Sequence, residues 1–119
     1  MRIPKKDLEK WLMALRSGKY EQGTQALQSK DGYCCLGVAC EELIPEQDKL
    51  RDPNTGFLVG GVAASQPFAP DWLKEVSVHL ARQIVGDSGW VEFPTLVSLN
   101  DKERLSFSEI ADILEKTYG

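Results

Sequence analysis

The chain has one histidine, only three cysteines and so no second cysteine pair to complete a zinc site, and no run of apolar residues near the ~18 that a membrane span needs. It lacks the G-x-S-x-G turn of a serine hydrolase, and neither G-x-x-x-x-G-K-[ST] nor G-x-G-x-x-G follows any strand-like segment. Gly60-Gly61 is therefore not read as a phosphate loop. There is no internal repeat and no low-complexity linker. After Met1-Arg2-Ile3-Pro4-Lys5-Lys6 there is no apolar stretch of the kind that makes a secretory leader, so the expected compartment is the cytoplasm, with no membrane partner. In that compartment an odd number of cysteines should stay reduced.

What is present suits one globular domain over residues 1–119. That length buries a real core without disulfides or metals, and 42% hydrophobic with 27% charged residues is ordinary for such a domain. The net charge of −4 is uneven, with seven Lys/Arg against three Asp/Glu in residues 1–30, and seven against fifteen in 31–119. An acidic chain with one basic end does not carry the footprint of a duplex nucleic-acid binder. The basic end can still meet phosphates or an acidic partner.

All three cysteines fall in Asp31-Gly32-Tyr33-Cys34-Cys35-Leu36-Gly37-Val38-Ala39-Cys40. Adjacent Cys34 and Cys35 diverge on regular structure, Cys40 follows five residues later, and His79 is the only other soft ligand. The spacing is wrong for zinc, and no cofactor or metal is expected. Free cysteine is among the most buried residue types, so the run is read as core. A cysteine nucleophile would need a base, and nothing in the sequence brings His79 near one.

Apolar spacing and cap signals define the elements. Leu8, Trp11, Leu12 and Leu15 mark a first helix opened by Pro4 and ended near Gly18. Asp31-Gly32 reads as the turn of a hairpin, followed from about Cys34 by a helix that Pro45 ends. Gly37 inside that helix costs roughly 1 kcal/mol relative to Ala, which suggests that another backbone packs closely there. A turn at Asp52–Gly56 precedes strand-like Phe57-Leu58-Val59, with Val62-Ala63-Ala64 as its resumption. A third helix starts at Pro70 or Asp71 and carries Trp72, Val76, Leu80 and Ile84, ending at Gly86 or Gly89. Trp90–Phe93 alternates like a strand, and Thr95–Leu99 suits one or two helical turns. Ser106-Phe107-Ser108-Glu109 is a capping box, with Leu105 and Ile110 as its hydrophobic staple. The sum is an α+β fold, about four helices packed on a small antiparallel sheet.

Two spots stand out as candidate ligand-binding residues, and no catalytic set does. Arg16, Lys19 and Tyr20 put two cations and an aromatic ring at a helix end, a set that suits gripping a phosphate and stacking a base. Asn100 and Asp101, in Ser98-Leu99-Asn100-Asp101, place polar groups just before the last helix. The carboxylate pairs Glu41-Glu42 and Asp101 with Glu103 fit exposed helix ends.

Gly32–Val38, the segment Ala14–Tyr20, Ser98–Asp101 and Ser106–Glu115 together resemble a family of small proteins in tailed-phage and prophage genomes. Order and spacing match over most of the chain, and residues 46–94 lie outside the shared pattern. The resemblance implies a phage accessory protein in the bacterial host cytoplasm. By analogy with other small phage proteins, it implies a non-enzymatic anti-defence role. Its partner would be either a nucleotide-like signal that it sequesters or a host protein that it occludes. Sequestering proteins place ligand sites at subunit interfaces, so a homo-oligomer suits the nucleotide version. The alternatives are a small cytoplasmic hydrolase using Cys35 or His79, and a protein-binding adaptor using Trp72, Trp90 and Phe93.

Overall fold

A computed structural model describes residues 3–24, 26–60, 66–73, 75–76 and 96–119. Among these residues the protein is α+β, with five helices and one two-stranded antiparallel sheet. The expected strands at 62–64 and 90–93, the helix stripe beyond Val76, and His79 lie outside the described residues.

Helix α1 spans Lys5–Arg16 and buries Leu8, Trp11, Leu12, Ala14 and Leu15. Pro4 stands one place before the first helical residue, and its carbonyl accepts from Leu8 N–H at 3.0 Å. Gly18 just beyond the helix has φ +76°, the left-handed geometry that glycine tolerates.

Strands β1 (Gln28–Ser29) and β2 (Gly32–Tyr33) pair Gln28 with Tyr33 and Ser29 with Gly32. The hairpin turn is therefore Lys30-Asp31, one residue earlier than the Asp31-Gly32 expected from the sequence. Gly32 is needed for packing as well as turning. A Cβ there would stand 2.3 Å from the Glu21 carbonyl oxygen, because residues 21–23 run alongside β2. Tyr33 N–H donates to Glu21 O at 2.8 Å, and Gly23 N–H donates to Tyr33 O at 2.7 Å.

Helix α2 spans Cys35–Leu43, and its residues 35–40 are all buried. Cys34 caps it, its Sγ accepting from Gly37 N–H at 3.3 Å. A Cβ on Gly37 would lie 1.9 Å from the Leu27 carbonyl oxygen, so the neighbouring backbone expected there is the stretch leading into β1. A 3₁₀ turn, Glu46–Asp48, follows Pro45. The expected 57–59 strand contributes only a single antiparallel bridge between Arg51 and Leu58.

Helix α3 begins at residue 71, described at 71–73 and 75–76. Its Leu73 and Val76 are buried, and the Trp72 ring lies 6.1 Å from that of Trp11. Helix α4 spans Leu96–Asp101 and α5 spans Phe107–Tyr118. The capping box at Ser106 and Glu109 is complete, with bonds of 3.2 and 3.0 Å. Helix α1 packs on α2 and α5, and α4 packs on α2 and α5. One hydrophobic cluster takes in side chains from Ile3 to Leu114, all three cysteines included.

Candidate functional site

Helix α2 ends on two acidic residues, Glu41 and Glu42, and has no basic residue in its last turn. Carboxylates there oppose the negative end of the helix dipole, so cations must come from elsewhere in the chain. They come from both sides. Lys49 Nζ lies 2.8 Å and Arg51 Nη2 2.5 Å from Glu41 Oε1. Lys19 Nζ lies 3.2 Å from Glu42 Oε2. Two tyrosines complete the cluster. Tyr33 OH donates to Glu41 Oε2 at 2.8 Å, and Tyr20 OH donates to Glu42 Oε2. The two rings meet edge to face at 5.0 Å, an arrangement favoured by the ring quadrupoles.

The electrostatics follow from this wiring. Burial pushes the Glu41 carboxyl up, but hydrogen bonds from Lys49, Arg51 and Tyr33 outweigh it and leave the group below its ordinary value. Burial likewise raises Glu42, and Tyr20 and Lys19 bring it below its ordinary value. Burial and then the Glu41 carboxylate push Tyr33 up to about 12. Tyr20 is raised by burial and by Glu42. Both carboxylates are thus ionised acceptors and both phenols stay protonated at neutral pH. The sequence-level picture of Glu41 and Glu42 as exposed helix-end residues is corrected, since both are partly buried.

The candidate residues from the sequence divide among three places. Arg16 faces α5, with Nη2 at 2.7 Å from Asp112 Oδ1 and 2.9 Å from Glu115 Oε1. Lys19 and Tyr20 face α2, and Lys19 Nζ sits 5.2 Å from the Tyr20 ring centroid. Asn100 is 1% exposed and ties α4 to residues 22–23. Its Nδ2 donates to Gly23 O and to Asp101 Oδ1, each at 2.8 Å, and its Oδ1 accepts from Gln22 Nε2 at 2.8 Å. The structure therefore brings Lys19 and Tyr20 together but separates them from Arg16 and from Asn100–Asp101. Sequence reasoning missed Tyr33, Lys49 and Arg51. The uncompensated acidic end of α2 was the signal that pointed to them.

The cysteines are core residues with no activated thiol. Burial pushes Cys34 up to about 11 and Cys40 up to about 12, and holds Cys35 well above its ordinary value. Cys35 Sγ lies 3.8 Å from Leu96 O, and its carbonyl accepts from Trp11 Nε1 at 3.0 Å. Among the described residues no group of three or more His, Cys, Asp or Glu is placed to hold a metal. No described helix is long and apolar enough to cross a membrane. A shallow groove of about 490 Å³ runs between α1 and α5, lined by Leu12, Met13, Arg16 and Glu115 among others.

No curated protein and no solved structure matches the chain. A family model described as a domain of unknown function, DUF8296, matches residues 4–118. With nearly its whole length covered, the chain belongs to the DUF8296 family.

Proposed function

We propose that this protein is a non-enzymatic phage accessory protein of the bacterial cytoplasm that counteracts host defence by binding and occluding a host protein. The observation that carries this reading is how its reactive and charged groups are used. The three thiols are buried and held protonated, and Arg16, Lys19, Lys49 and Arg51 each already meet carboxylates of the chain. A phosphate would have to displace those partners. Apolar side chains, by contrast, stand exposed at Met13, Leu50, Val59 and Phe68, and these are free for a protein partner to cover.

A nucleotide-like ligand remains the second reading because Arg16 lines the α1–α5 groove and its partners are solvent-exposed. Exposed ion pairs of this kind contribute about 1 kcal/mol or less, so a phosphate can compete for the guanidinium. Thermal-shift titration with cyclic dinucleotides and ADP-ribose separates the two. A ligand at ~100 times its Kd stabilises the fold by about 2.7 kcal/mol. The protein-occlusion reading expects no shift with any of them, and a stoichiometric complex with one host protein on size-exclusion. A saturable shift that Arg16→Ala abolishes would replace it with the nucleotide reading. A hydrolysed product would replace both with an enzyme.

A further inference from the structure

We draw no further inference here: the strongest candidate, the cavity of about 650 Å³ between the start of α1 and the end of α5 lined by Ile3, Leu8, Leu12 and Tyr118 among others, is an unpartnered apolar face, and nothing in the structure shows what covers it, the Tyr118 hydroxyl being itself buried.

Discussion

Two residues test opposite kinds of fit. Gly37 lies where the Leu27 carbonyl leaves no room for a Cβ, since the added carbon would sit 1.9 Å from that oxygen. Neither partner is the end of a flexible side chain, so backbone must move. Gly37→Ala should therefore cost about 3 kcal/mol or more despite alanine's better helix propensity, read as a drop in urea midpoint or a failure to fold. A stability within 1 kcal/mol of the parent would show that the contact relaxes easily. Tyr118 is the reverse case. Its hydroxyl is buried with no hydrogen-bond partner among the described residues. Tyr118→Phe removes a desolvated group that has no compensating bond, so stability should stay within about 0.5 kcal/mol or rise. A loss beyond 1 kcal/mol in the same assay would mean that the hydroxyl does find a partner in solution.

At the scale of elements, α5 carries its own start signal and so offers the cleanest local prediction. Ser106→Ala should cost about 1 kcal/mol and Ser106→Gly only a few tenths, because glycine leaves the cap backbone accessible to water. Equal losses in chemical denaturation would show that the Ser106 side chain acts through tertiary contacts instead. The helices were legible in the sequence for the same reason that this prediction is simple. Caps, proline and apolar spacing at 3.6 residues act within a few positions, and α1, α2 and α5 follow them closely. The hairpin was legible in kind but not in register. Asp31-Gly32 has the composition of a turn, yet Gly32 is held in β2 by a third segment, residues 21–23, that local rules cannot see. The strand expected at 57–59 shrank to one bridge because the Leu50 and Val59 main chain bonds to the Gln66 side chain in place of further strand. The candidate site was least legible. Arg16, Lys19 and Tyr20 are neighbours in sequence, but α1 ends between them and directs Arg16 to Asp112 and Glu115 while Tyr20 turns to Glu42. Only long-range packing decides that split.

For the whole molecule, the ionisable groups set two flanks of a stability plateau. Glu41 and Glu42 are held below their ordinary value of 4.5 when folded, and Glu46, bonded by Arg51 and Lys49, falls to about 2. Their contribution is complete above the unfolded value and is lost as pH falls through the lowered folded values. The thiols and phenols act on the other flank. Cys34, ordinarily near 9, rises to about 11, Cys40 to about 12, and Tyr33 from 10 to about 12. Their contribution is complete below the unfolded values and is lost as pH climbs through the folded ones. Urea unfolding at fixed temperature should therefore give a plateau from about pH 5 to 8 with losses on both sides. Stability that keeps rising between pH 9 and 11, or stays level from pH 5 down to 2, would contradict the ionic and burial assignments. Absorbance at 295 nm would locate the alkaline event, since Tyr20 and Tyr33 should ionise only as the fold opens.

The tilted Trp11–Trp72 pair has an optical consequence. Indoles with centroids 6.1 Å apart and planes at 48° are close enough for their excited states to couple. Such coupling gives a signed couplet in circular dichroism that neither ring produces alone. The couplet would report the docking of α3 on α1 separately from helix content, and Trp72→Phe would erase it while leaving the helical signal in place. The molecule thus carries its own label-free gauge of whether that contact persists when a partner binds.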